Sequence, residues 1–260
     1  MKRREFFTLL GGGAFAWPLV ALAQQTAGKR HIAVLLGGLD SHDKEGQAEV
    51  AAFEEGLKQA GWNIGENIEI DYRWPGAAPE NVRAAAKEIA DTHPEVVLTR
   101  STLATASLVS ANLPVVFTLV VDPLGSGFIK SFAKPGGNLT GFANVETSTG
   151  GKLLALLKEA APALRRVEFL FNPATAPYSD IYLRSASQAA QTLDVDLKPT
   201  PAANARDIEV ALSALASEDS GFIVMADISM AAHRDLLIAL AAKHRLSAIY
   251  PTEAYVPTAG

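Results

Sequence analysis

The segment Ile32-Ala-Val-Leu-Leu36 is a run of apolar residues closed at once by Gly37-Gly38. It is too short for a helix and has no polar alternation, so it reads as a strand buried on both faces, the kind found in parallel sheets. Val50, Phe53, Leu57 and Ala60 follow at helical spacing, and Gly61 is a stop. Asn63 to Asn67 is a turn, and Ile68-Glu-Ile-Asp-Tyr72 alternates as a half-exposed strand. Pro79 suits the first turn of a second helix whose buried stripe is Val82, Ala85, Ala86 and Ile89. Val96-Val-Leu98 reads as strand, Thr102 to Ala111 as helix, and Val115-Val-Phe117 as strand. Residues 30–120 therefore run β-α-β-α-β-α-β, the order of an open, doubly wound parallel sheet and a first α/β lobe.

Residues 121–147 break that rhythm with Pro123, Gly125, Gly127, Pro135, Gly136, Gly137 and Gly141, a composition that marks a boundary or crossover. The alternation then resumes. Helix Gly151 to Ala160 precedes strand Val167 to Phe171, and helix Tyr178 to Leu193 precedes strand Val195 to Lys198. Asn204 or Asp207 can cap a helix running to Ala216. Phe222 to Met225 is a strand, Met230 to His244 a helix, and Ala248 to Tyr250 a strand. A second α/β lobe is thus expected over residues 121–250, with a cleft between the two units.

The beginning of the chain reads as an address. Lys2, Arg3 and Arg4 are followed by 18 uncharged residues, Phe6 to Ala23, and Ala21-Leu-Ala23 is an A-x-A cleavage site. Residues 1–23 are therefore expected to be a secretory signal peptide. Gly11-Gly-Gly13, Pro18 and the marginal length argue against a membrane-spanning helix. Arg3-Arg4-Glu5-Phe6-Phe7 is of twin-arginine type, although a plain Sec signal can also carry two arginines. The expected location is the periplasm.

Composition narrows the function. A chain of 260 residues, 48% hydrophobic, can bury a sizeable core. A net charge of −5 disfavours nucleic-acid binding, and the lack of cysteine removes thiol catalysis, Cys-ligated metals and a lipid anchor at cysteine. The five histidines, His31, His42, His93, His233 and His244, form no metal spacing. Gly125-Ser126-Gly127 is only a fragment of a nucleophile elbow, and it follows a turn instead of a strand. No Walker A motif or dinucleotide fingerprint is present, so no cofactor, metal or catalytic residue is assigned.

Polar residues at strand ends are more informative, because open α/β sheets bind ligands beyond the carboxyl ends of their strands. Ser101 and Thr102 follow one strand and open a helix; either caps it or binds a ligand carboxylate. Asn172 follows a second strand, and Tyr178 stands at the next helix start. Asp227 follows a third strand, as a cap or as the partner of an ammonium. Gly37-Gly38 either allows close backbone approach or forms only a turn.

Asp122-Pro-Leu-Gly-Ser-Gly-Phe-Ile-Lys-Ser-Phe-Ala-Lys-Pro-Gly-Gly-Asn-Leu-Thr-Gly141 resembles the D-P-x-x-x-G…S-[LF]-x-[RK]-P-G-G-N-x-T-G signature of an ABC transporter substrate-binding family. This is the family of the tryptophan/tyrosine-type periplasmic binding proteins. Phe53-Glu-Glu-Gly-Leu-Lys-Gln-Ala-Gly61, Asn67-Ile-Glu-Ile-Asp-Tyr-Arg-Trp74 and Leu113-Pro-Val-Val-Phe117 are similar to the family too, and the resemblance spans essentially the whole chain. It implies the periplasmic-binding-protein type I fold, with two doubly wound parallel-sheet lobes and a hinge. It further implies a monomer that catalyses nothing, captures a small amino-acid-like or carboxylate solute, and presents it to an ABC permease and its ATPase.

By position, the resemblance gives Ser101 and Thr102 to the ligand carboxylate and Asp227 to its amine, with Asn172 in the second-lobe loop. Leu103 stands where many members have Pro, and Ala174-Thr-Ala-Pro177 lacks a Glu common there, so an identical ligand choice does not follow from the resemblance. Asp122, Pro123, Tyr250 and Pro251 fall at the expected hinge. The alternatives are a ligand-sensing receptor component of a signalling system and an exported α/β enzyme. Residues 251–260 match the point where the family's chain crosses back to the first lobe, so a C-terminally shortened member is expected, with an exposed apolar face or unpaired edge.

Overall fold

Among the described residues, nine strands form two separate sheets, and every pairing within them is parallel. The computed structural model describes residues 28–145, 148–215 and 219–255, so the expected signal peptide lies outside the described residues.

The first sheet contains β1 (Arg30–Leu36), β2 (Ile68–Arg73), β3 (Val96–Arg100), β4 (Val115–Val121) and β5 (Leu139–Val145), in the order β2-β1-β3-β4-β5. Helices α1 (Lys44–Gln59), α2 (Pro79–Thr92) and the short α3 (Thr102–Ala106) connect the first four strands. The expected stripe of α2 is realised: Val82, Ala85, Ala86 and Ile89 are all buried, and they pack with Ala33, Leu35 and Val97 of the sheet. Asp43 caps α1 by accepting the Glu45 N–H at 3.0 Å. His93 ends α2 in the left-handed region, with φ 50°.

The second sheet contains β6 (Arg166–Phe171), β7 (Asp196–Pro201), β8 (Ser220–Val224) and β9 (Ser247–Ile249), in the order β7-β6-β8-β9. Its helices are α4 (Thr149–Ala160), α5 (Ser179–Leu193), α6 (Ala205–Ala214), α7 (Ile228–Ala232) and α8 (Arg234–His244). Central strand β8 is buried at every position, as a parallel strand covered on both faces requires. One apolar cluster, with Leu154, Phe169 and Tyr182, covers one face; another, with Leu212, Phe222 and Leu237, covers the other.

Three local expectations need correcting. The helix expected from Thr102 to Ala111 is broken into α3 and a 3-10 turn, Val109–Ala111. Ser107 donates its hydroxyl to the Leu103 carbonyl at 2.8 Å, a back-bond that competes with helix propagation. The helix expected from Met230 to His244 starts earlier, at Ile228, and is interrupted at His233 (φ −102°, ψ 17°).

The stretch read as a crossover also holds a strand. β5 pairs with β4, so the first sheet continues to Val145. Asn138 donates its amide to the Leu113 carbonyl at 2.6 Å and accepts the Val115 N–H on its own carbonyl at 2.9 Å, which fixes the register. A Cβ at Gly141 would overlap the Phe117 carbonyl oxygen, so the close pairing requires glycine there.

Candidate functional site

Each sheet reverses its strand order once, between β1 and β3 in the first and between β6 and β8 in the second. At such a switch point the connections depart to opposite sides and leave a crevice beyond the strand ends. The two crevices face each other across a shared cavity of about 180 Å³. Of the residues expected to bind, Gly38, Ser101, Thr102, Tyr178 and Asp227 line it, whereas Gly37 and Asn172 do not. Of the four hinge expectations, Pro251 lines it, and Asp122, Pro123 and Tyr250 do not.

On the first lobe, Ser101 has φ 91°, an uncommon conformation for a residue with a side chain. Its N–H donates to the Thr118 carbonyl at 3.1 Å, and its Oγ accepts the Ala104 N–H at 3.3 Å. Thr102 Oγ1 accepts the Val121 N–H at 3.0 Å. Both hydroxyls are thus oriented through their oxygens, which leaves each O–H free to donate into the cavity. Gly37 works from behind: a Cβ there would lie 2.7 Å from Ser101 Oγ, so its bareness lets α3 start against β1.

Arg100 also lines the cavity, yet its guanidinium is already occupied. Nε donates to Glu49 at 2.7 Å and Nη2 to the same carboxylate at 3.1 Å. Nη2 reaches Glu45 and Nη1 the Gly37 carbonyl, each at 3.4 Å.

On the second lobe, Asp227 caps α7 and is only 8% exposed. Oδ1 accepts from Ser229 N–H at 2.6 Å, Met230 N–H at 3.1 Å and Thr175 Oγ1 at 2.8 Å, and Oδ2 accepts from Asn172 N–H at 3.1 Å. Burial pushes its carboxyl above the ordinary carboxylate value, while these four donors pull it back down. A carboxylate oxygen offers about two acceptor positions, so Oδ1 is saturated by its three donors, while Oδ2, with one, keeps an acceptor position. Asp227 therefore ties the loop after β6 to α7, and most of its acceptor capacity is spent on that latch.

Asn172 belongs to this latch. Its Nδ2 donates to Ser229 Oγ at 3.0 Å, and its Oδ1 accepts the Ala174 N–H at 3.0 Å. Tyr178 donates its hydroxyl to the Ala226 carbonyl and packs its ring on Tyr182 at 5.9 Å. Burial, with the Asp227 charge nearby, pushes its phenol well above the ordinary value.

Asp122 is a loop residue, with φ 44° and its carboxylate accepting the Gly125 N–H at 2.9 Å. The Pro123 carbonyl accepts the Phe128 N–H at 2.9 Å in the same loop. Tyr250 stacks on Tyr255 with centroids 4.9 Å apart.

Several lining residues had no signal in local sequence pattern. Leu119, at φ 53°, sits where the β4–β5 register shifts. Thr175, Ile228, Arg234 and Tyr255 also line the cavity. Ile228 stands on α7 of the second lobe, yet it packs into the apolar cluster of the first. Its Cγ2 lies 2.6 Å from where a Gly38 Cβ would be, so the glycine makes room for it. Among the described residues, no group of three or more His, Cys, Asp or Glu is placed to hold a metal ion.

Comparison with known proteins places this geometry. A family model described as ABC transporter substrate binding protein matches residues 38–259. The Tyrosine-binding protein of Clostridioides difficile (strain R20291) is 22% identical over 206 residues, covering 78% of this chain. The chain spans 59% of that relative's length. Among solved structures, a conserved domain protein from Vibrio cholerae O1 biovar El Tor aligns with TM-score 0.77 at 25% identity, over 88% of this chain and 76% of that one. An ABC domain in complex with L-Trp from Streptococcus pneumoniae aligns with TM-score 0.76 at 19% identity, over the same 88% and 76%, a likeness of fold.

Proposed function

The chain belongs to the ABC transporter substrate binding protein family, and from that premise we propose that it captures a small amino-acid-like or carboxylate solute between its two lobes. It then delivers the solute to an ABC permease and its ATPase, in the periplasm after export, and performs no reaction itself. The observation that carries the reading is the cavity formed by both switch points, with the Ser101 and Thr102 hydroxyls from one lobe opposite Asp227 and Tyr178 from the other. A solute touching both lobes interacts more strongly once they are docked and water is expelled, so binding draws the lobes together. The likeness to a tyrosine-binding protein and to an L-Trp complex supports an amino-acid-like solute. Among the described residues, no helix is long and apolar enough to cross a membrane.

Isothermal titration of refolded, ligand-stripped protein against a panel of amino acids and organic acids tests this reading. Heat from a member of that panel is expected. Silence across it, with heat from a sugar, overturns the reading.

A further inference from the structure

The polar groups of the cavity are unequal in what they have left to give. Arg100 spends its guanidinium on Glu49, Glu45 and the Gly37 carbonyl. Asp227 has four donors on its carboxylate. Asp43 accepts from the Glu45 backbone, and Glu45 is exposed, where water screens it.

Two lining groups stand apart. Arg234 has one recorded ion pair, to the exposed Asp235 at 3.6 Å, and its side chain is 36% exposed. Such a pair is weak, and it leaves most guanidinium N–H donors available. Tyr255 is 4% exposed, and its hydroxyl is fully buried without a hydrogen-bond partner among the described residues. An unsatisfied buried hydroxyl costs stability, and a native structure that retains one has reason to. The Tyr255 phenol also feels the charges of Asp227, Arg234 and Glu45. At Arg234 and Tyr255 the cleft therefore offers free donor capacity with one cation, while Asp227 keeps a single acceptor position on Oδ2.

Resting on the solute-binding reading above, we infer that Arg234 and Tyr255 together hold the solute's carboxylate, and that the cleft selects an organic carboxylate without requiring an ammonium. Arg234 supplies the counter-charge and Tyr255 a directed O–H bond, with the Ser101 and Thr102 hydroxyls as further donors. Leu39, Leu119, Val121 and Ile228 give the remainder of the solute an apolar wall. Asp227, as the cap of α7, positions Ile228 in this wall.

The test compares matched pairs by isothermal titration: L-tyrosine with hydroxyphenylpropanoate, and L-tryptophan with indolepropanoate. In each pair the deaminated acid is expected to bind within about threefold of the amino acid. Arg234→Met is expected to weaken both members roughly ten- to hundredfold, the range for a lost hydrogen bond to a charged group, and Arg234→Lys to recover part of that loss. Tyr255→Phe is expected to weaken binding while raising the melting temperature of the ligand-free protein, because it removes an unpartnered buried hydroxyl. A purely structural tyrosine would lower that temperature and leave affinity unchanged.

Binding of the amino acids with none of the deaminated acids overturns this inference alone, as does unaltered affinity in Arg234→Met. Silence for every member of both pairs also overturns it, while the carboxylate reading of the cleft falls only with silence across the wider panel of amino acids and organic acids.

Discussion

Ile228→Ala separates the lobe contact from the stability of either lobe. The side chain is 8% exposed, and although it is carried by α7 of the second lobe it sits in the first lobe's cluster. The substitution removes three carbons. At about 0.8 kcal/mol per buried carbon that is roughly 2.4 kcal/mol, before any cavity cost. All of it falls on the docked arrangement, because undocking already exposes the side chain. Dividing by about 1.4 kcal/mol per factor of ten gives roughly a fiftyfold shift of the docked–undocked equilibrium toward undocked. Small-angle scattering of the ligand-free protein reads this as an increased radius of gyration. The partner substitution Gly38→Ala places a Cβ 2.6 Å from Ile228 Cγ2 at φ 93°, so it strains the same contact from the other side. In the double variant the Cγ2 overlap is gone, but the Cβ that alanine keeps at position 228 still lies 2.8 Å from the new one and the φ strain stays, so only part of the Gly38→Ala cost is relieved and the two effects should fall short of their sum by that part. An unchanged scattering profile, with the full loss appearing in the second lobe's own unfolding, would refute the reasoning.

Three further predictions concern the latch, the register and the tyrosines. Asp227→Ala strips a helix cap and leaves three buried N–H groups and the Thr175 hydroxyl without their acceptor. Urea unfolding should show a loss of about 3 kcal/mol or more, and Asp227→Asn, which keeps one acceptor oxygen, should lose less. Gly141→Ala pushes β5 off the Phe117 carbonyl, and should cost at least about 1–3 kcal/mol in thermal unfolding. All five phenols, Tyr72, Tyr178, Tyr182, Tyr250 and Tyr255, are raised above 10.0 with burial as the leading cause. Above that pH the unfolded chain loses protons the folded one keeps, so stability falls as pH rises. Phenolate absorbance should then appear in one step with the loss of circular dichroism. Gradual ionisation of any phenol at its ordinary value in folded protein would contradict this.

What local pattern could reveal and what it could not divide along physical lines. The apolar run at Ile32–Leu36 and the α2 stripe are short-range signals that tertiary packing did not override. Ser101, Asn204 and Asp227 were readable as caps because capping is local. β5 was hidden: Leu139-Thr-Gly-Phe-Ala-Asn-Val145 contains residues poor in strand propensity, and it is a strand because β4 and the Asn138 bonds hold it. The switch-point rule located Ser101, Thr102, Tyr178 and Asp227, since each follows a strand. Ile228, Arg234 and Tyr255 reach the cavity through tertiary packing, Ile228 across the two lobes and Tyr255 within the second, and such packing has no sequence period. The bonds that occupy most of the Asp227 carboxylate include donors 52 and 55 residues away, so they too were out of reach.

The second sheet, wrapped by apolar clusters on both faces around a wholly buried β8, has a consequence for how the molecule comes apart. Amides of β6 and β8 should exchange with solvent only on global opening, as those of the covered central strands of a cooperative unit do. Flanking segments such as Val109–Ala111 and the Asp122 loop should exchange through local fluctuations. That gradient makes the second lobe a rigid reference frame. The energetic slack needed to admit and release a solute then resides in the segments that face it.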